Sequence, residues 1–148
     1  MRILEFEKLF QSEDTLDKAL EFLEEDVSRV DYWAKCMKDN ITSNPEEAKN
    51  CLNELTGIYS NLRTALTIAE TEKKNREIRA YNEIRIESGK AGTKFVATSA
   101  DKQASGEVVA YRRIRNIILG YKEACQTSVS SIQSLLKYMA VEYNNKGE

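Results

Sequence analysis

The sequence predicts an all-α protein: a long antiparallel helical hairpin or three-helix bundle with coiled-coil-like packing, built into an oligomer. Three observations carry that expectation. One proline and six glycines in 148 residues leave few helix breakers. Two successive stretches repeat apolar residues at alternating steps of four and three, the seam that a partner helix covers. A third stripe near residue 111 onward keeps the spacing of a straight helix.

Residues 1–13 form a short amphipathic piece whose sticky side holds Ile3, Leu4, Phe6, Leu9 and Phe10. It is either a brief helix packed on the body or an arm reaching a neighbour. The first main helix is expected over 15–40. Its seam is Leu16, Leu20, Leu23, Val27, Val30, Ala34, Met37 and Ile41, with Asp17, Glu21, Glu24, Glu25 and Asp31 on the opposite face and Tyr32 and Trp33 beside it. Thr42, Ser43, Asn44, Pro45, Glu46 and Glu47 then spell a helix start. Asn44 is the N-cap, Pro45 suits the first helical position, and Glu47 stands where it reaches back to the cap.

The second helix is expected over 45–87, roughly 60 Å at 1.5 Å per residue. Its seam is Ala48, Leu52, Leu55, Tyr59, Leu62, Leu66 and Ala69. The seam then fails: Ile78 is the one apolar residue between 70 and 79. A helix polar on all sides either leaves the bundle or meets charged partners. Residues 88–99, with Gly89 and Gly92, form a basic loop, and Thr98 or Ser99 caps a third helix over 100–143. That helix carries Tyr111, Ile114, Ile118, Tyr121, Cys125, Val129, Ile132, Leu136, Met139 and Tyr143 on one stripe. A single helical domain spanning 1–148 follows.

Charge is unevenly spread. Residues 1–60 hold 7 Lys/Arg against 14 Asp/Glu, and residues 61–122 hold 13 against 7. Such a field selects partners. The basic set is Lys73, Lys74, Arg76, Arg79, Arg85, Lys90, Lys94, Lys102, Arg112, Arg113 and Arg115, with Tyr81, Phe95 and Tyr111 interleaved. Antiparallel helices around the loop bring these to one end of the rod. Cations that neutralise phosphates beside rings that stack on bases are the chemistry of single-strand binding. The bland alternative is a solvated helix whose cations pair at i,i+4 with Glu70, Glu72, Glu77, Glu83 and Glu87, or a basic end that meets acidic protein.

Catalysis finds little support. Histidine is absent, which removes the commonest general base and metal ligand. Cys36, Cys51 and Cys125 are widely spaced and read as buried thiols of a reducing compartment. Neither a phosphate loop nor zinc spacing is present. No cofactor is expected. No stretch approaches the length of a membrane span, and the first residues carry acids inside their apolar run, so a cytoplasmic protein, in a host cell if phage-encoded, is expected.

The layout also resembles a known family. Lys94, Phe95, Val96, Ala97, Thr98, Ser99, Ala100, Asp101 and Lys102 precede a long helix with Tyr111 and the Ile117, Ile118, Leu119 cluster, ending near Met139. This resembles the carboxyl-terminal half of the UvsY-like recombination mediators of T-even-like phages. Upstream, Tyr32, Trp33 and the Ala69 to Arg79 stretch with Lys73 and Lys74 are similar in order and kind. The likeness spans roughly residues 30–140, and Ser99, Ala100, Asp101, Lys102 is the matching run. It implies a non-enzymatic, ring-forming, all-helical protein that binds single-stranded DNA and helps load a recombinase onto strands covered by single-strand-binding protein. The family's basic motif before its loop corresponds here to Arg76, Glu77, Ile78, Arg79, Ala80 and Tyr81, which keep the charge without the motif. The rival expectation is a helical phage assembly or host-defence-inhibitor protein acting through protein contacts.

Overall fold

The computed structural model describes residues 1–39 and 44–147. Seven helices are found there, with no strand among the described residues: α1 (Ile3–Lys8), α2 (Glu13–Leu16), α3 (Lys18–Phe22), α4 (Glu24–Lys38), α5 (Pro45–Ala91), α6 (Ala97–Glu107) and α7 (Val109–Asn145). The all-α expectation therefore holds. No helix among the described residues is long and apolar enough to cross a membrane. Ile41 of the expected first seam, Asn40 at its end, and Thr42 and Ser43 of the start signal lie outside the described residues.

The start of α5 follows its sequence signal. Asn44 Oδ1 accepts from the backbone N–H groups of Glu46 and Glu47, both at 3.2 Å, and Glu46 and Glu47 sit in the positive first turn. The helix ends later than expected, at Ala91 rather than 87. Gly89 is helical, and Gly92, at φ +67°, is the terminator. Its left-handed backbone lets Thr93 N–H reach Ser88 C=O at 3.1 Å, closing the last turn as a Schellman motif does. The basic loop shrinks from the expected 88–99 to residues 92–96.

Two expected helices are broken. The first, expected over 15–40, is interrupted at Asp17 and Leu23. Ser12 caps α2 by accepting from Asp14 N–H at 3.2 Å, and the Thr15 hydroxyl donates to Leu9 C=O at 3.0 Å, so helical structure opens at Glu13, ahead of the expected start. At Leu23 the backbone sits at φ −98°, ψ 3°, and the acidic trio Glu24, Glu25, Asp26 opens a fresh helix. The third helix, expected over 100–143, begins at Ala97 and breaks at Val108 (φ −107°, ψ 18°). Arg112 compensates by donating to Ser105 C=O at 3.0 Å and to the Ser105 hydroxyl, satisfying a carbonyl that the break orphans.

The chain divides into two compact units, Met1–Glu21 with Ala65–Ile117, and Phe22–Thr64 with Ile118–Glu148. Helices α5 and α7 contribute residues to both. In the first unit Phe6, Phe10, Leu16 and Ala19 are buried with Ala65, Leu66, Ile68, Ala69, Val108, Tyr111 and Ile114. Further along, its core thins to Ala80, Ala100 and Ala104. The short N-terminal segment is thus packed on its own unit, with Phe6 and Phe10 edge to face at 5.2 Å.

The second unit buries Leu23, Val30, Trp33, Ala48, Cys51, Leu55, Ile58, Leu62, Ile118, Cys125 and Ile132. Ala34, expected in the seam, is exposed, and Trp33 takes the inward place because its Nε1–H donates to Glu54 at 2.8 Å. Tyr143, expected on the buried stripe, is 82% exposed. The thiols of Cys51 and Cys125 are pushed up to about 11 by burial, which keeps them protonated and slow to react. Cys125 also donates to Leu55 C=O at 3.2 Å.

Candidate nucleic-acid interface

All twelve residues singled out from the sequence fall in the first unit. They divide into two groups by what they touch.

Six are engaged within the unit. Arg76, on the polar stretch of α5, donates to Phe10 C=O at 2.7 Å and to Gln11 C=O, and its guanidinium lies 4.4 Å from the centre of the Tyr111 ring. The stretch of α5 that is polar on all sides has therefore found a partner in the backbone carbonyls of the turn between α1 and α2. Arg112 is bound to Ser105 as described. Arg113 pairs with Asp17. Arg115 pairs with Glu70 at 3.0 Å, and Lys73 with Glu77 at 3.3 Å along the same helix. Tyr81 is not a free platform; its ring meets Phe95 edge to face at 5.7 Å, which holds the chain after α5 against the helix.

The other six, Lys74, Arg79, Arg85, Lys90, Lys94 and Lys102, are exposed. Among the described residues none of them makes an ion pair or a hydrogen bond through its side chain. Arg85, Lys90 and Lys94 surround the end of α5 and the following turn, and Lys102 lies on α6. Glu83, Glu87 and Asp101 stand among them, so the surface is mixed. Counting every residue of the unit gives 14 Lys/Arg against 13 Asp/Glu. The acidic N-terminal stretch, placed with the basic helix in one unit, cancels most of its field.

A cleft of about 470 Å³ opens beside Arg76. Its walls carry Glu13, Arg76, Arg79, Glu83, Glu107 and Tyr111. Two buried polar atoms there have no partner, Arg76 Nε and the Tyr111 hydroxyl oxygen. Burial pushes the Tyr111 hydroxyl above its ordinary range, against the opposing pull of the Arg76 charge. Glu13, Glu83 and Glu107 were not candidates from sequence: acids at helical spacing carry no signal until a cleft gathers them. The roles of the Phe10 and Gln11 carbonyls were equally invisible, since a backbone acceptor leaves no trace in residue type.

No group of three or more Cys, Asp or Glu side chains among the described residues is arranged to hold a metal ion. Comparison with family models, with curated proteins and with solved structures finds no match to this chain.

Proposed function

We propose that the chain is a non-enzymatic accessory protein that binds single-stranded DNA, with the surface of Lys74, Arg79, Arg85, Lys90, Lys94 and Lys102 as its contact. The observation that carries this reading is that these six cations are exposed and unpaired while their neighbours are engaged. A cation already in an ion pair gives up that partner when it meets phosphate; a free one releases counterions at no such cost. The resemblance to the phage mediators supports the same reading and extends it to a recombinase and single-strand-binding protein as partners. A cytoplasmic location is part of the same proposal. In this reading α5 and α6–α7 form an antiparallel hairpin. Exposed apolar side chains such as Tyr32, Tyr138, Val141 and Tyr143 support assembly into a homo-oligomer.

A second reading has its own observation. The near balance of charge in the first unit suits an acidic protein partner held by a few pairs, as in a helical assembly or inhibitor protein, better than a long polyanion. Titration of labelled oligo-dT at low and high salt separates the two. The DNA reading expects the logarithm of the association constant to fall with the logarithm of salt, by about 0.7 for each phosphate contacted. Replacing Lys90 and Lys94 together by Ala flattens that slope by about 1.4 with helicity unchanged. No binding at low salt sinks the DNA reading and leaves the protein-contact reading.

A further inference from the structure

The cleft beside Arg76 presents a chemical contradiction that one class of ligand resolves. Tyr111 is 3% exposed and its hydroxyl has no partner; Arg76 Nε–H is likewise buried and unpaired. Buried polar groups are seldom left so. The Nε–H is a donor, so it asks for an acceptor, and the tyrosine hydroxyl accepts or donates. Arg79, exposed and unpaired on the rim, offers a second donor fork. Glu13, Glu83 and Glu107 ask for the opposite. They are exposed, and among the described residues their side chains make no ion pair or hydrogen bond, so their carboxylates are open to a donor on a ligand.

A purely anionic ligand meets three carboxylates. A purely cationic one meets two guanidinium groups. What fits is a neutral group with acceptors on one edge and N–H donors on the adjacent edge, and a nucleobase has that form. Guanine alone among the four DNA bases carries two neighbouring N–H donors, N1–H and the N2 amine, matched to the two oxygens of a carboxylate. Its O6 and N7 accept from a guanidinium fork. The volume falls within the range of small-ligand sites, about 300–1,000 Å³.

We propose that this cleft takes a guanine base, its O6/N7 edge toward Arg79 and the Arg76–Tyr111 pair and its N1/N2 edge toward Glu83. Glu83 lies one helical turn beyond Arg79 on α5, so the two side chains flank one ligand. The inference deepens the single-strand reading, because the base comes either from a DNA strand or from a free guanosine nucleotide.

Calorimetric titration of the full chain with GMP, IMP, AMP, CMP and TMP tests it. GMP is expected to bind at least tenfold more tightly than AMP, CMP or TMP. IMP, which lacks the N2 amine, falls below GMP. Glu83→Gln is expected to remove the preference for GMP. Lys90→Ala with Lys94→Ala is expected to leave GMP binding unchanged. A single dG placed in oligo-dT then tells the source: raised affinity assigns the site to a strand, and unchanged affinity with GMP still bound assigns it to the free nucleotide. No GMP binding at millimolar concentration, equal binding of all five nucleotides, or an unaltered preference in Glu83→Gln each overturn the guanine site. Oligo-dT binding that persists in any of those cases leaves the surface reading standing.

Discussion

Each unit holds an arginine stacked on an aromatic ring, and the two are satisfied in different ways. In the second unit Arg29 lies 4.3 Å from the centre of the Tyr32 ring and sets its guanidinium fork on Glu54, with Nη2 at 2.9 Å from one carboxylate oxygen. Trp33 donates to the same carboxylate, so α4 and α5 are clasped by opposite charges whose hydrogen bonds are largely met. In the first unit Arg76 also lies on a ring, but its acceptors are two backbone carbonyls. Carbonyls satisfy hydrogen bonds without cancelling charge, and one guanidinium N–H is left over. The second unit is closed electrostatically at its clasp. The first keeps a positive charge and an unmet donor beside a cleft, which is the condition for recognising something else.

The largest test of that comparison concerns what holds the N-terminal segment on the first unit. Phe10 is fully buried, so Phe10→Ala is expected to destabilise by about 3–5 kcal/mol in urea unfolding. Leu55→Ala, its counterpart in the second unit, is expected to lose about 2–5 kcal/mol. A loss below 1 kcal/mol for Phe10→Ala alone would show that the segment is dispensable to its unit and that Arg76 is available to other acceptors.

The next test separates charge from fork. Arg76→Lys keeps the cation but gives up the planar donor set that reaches two carbonyls and covers Tyr111. It is expected to destabilise by about 1–2 kcal/mol, the scale of charge-assisted hydrogen bonds lost in part. An unchanged unfolding midpoint would mean that the carbonyls of Phe10 and Gln11 are met equally well without Arg76.

How far these features were legible beforehand depends on their range. The α5 start was readable because Asn44, Pro45 and Glu47 act within one turn. The seam from Ala48 to Ala69 was readable because its period is local too. The breaks at Asp17, Leu23 and Val108 were not, since a helical stripe continues through a turn that loses a single backbone bond. The inward choice of Trp33 over Ala34 depends on Glu54, twenty-one residues away. The basic cluster was visible as composition. Its division into engaged and free cations was not, because Arg113 meets Asp17 and Arg76 meets Phe10 across more than sixty residues of chain.

A pH series sharpens the account of the second unit. Arg29 and then Trp33 hold the Glu54 carboxyl below its ordinary range, with burial opposing. A depressed acid contributes stability above its unfolded value and loses it as pH falls through the folded one. Glu54→Gln is therefore expected to lower stability at neutral pH and flatten the acid limb. Asp26 runs the other way. Burial raises its pKa, more than the Asn61 side-chain hydrogen bond lowers it. Its charge costs stability at neutral pH and the cost is relieved on acidification. Asp26→Asn is expected to stabilise at pH 7 while the gain shrinks toward pH 3, and a loss at pH 7 would contradict the burial argument.

The smallest expected effect bears most directly on the cleft. The Tyr111 hydroxyl is desolvated without a partner, so in the free protein it costs stability. Tyr111→Phe removes that oxygen and keeps the ring under Arg76. It is expected to raise stability by up to about 1 kcal/mol, measured by urea unfolding at neutral pH. If the hydroxyl serves a bound guanine, the same substitution weakens GMP binding, so stability and affinity move in opposite directions. A tyrosine with no part in binding would show the same gain in stability and leave affinity untouched. Arg29 offers no such split, since its clasp is already paired with Glu54, and any change there lowers stability alone.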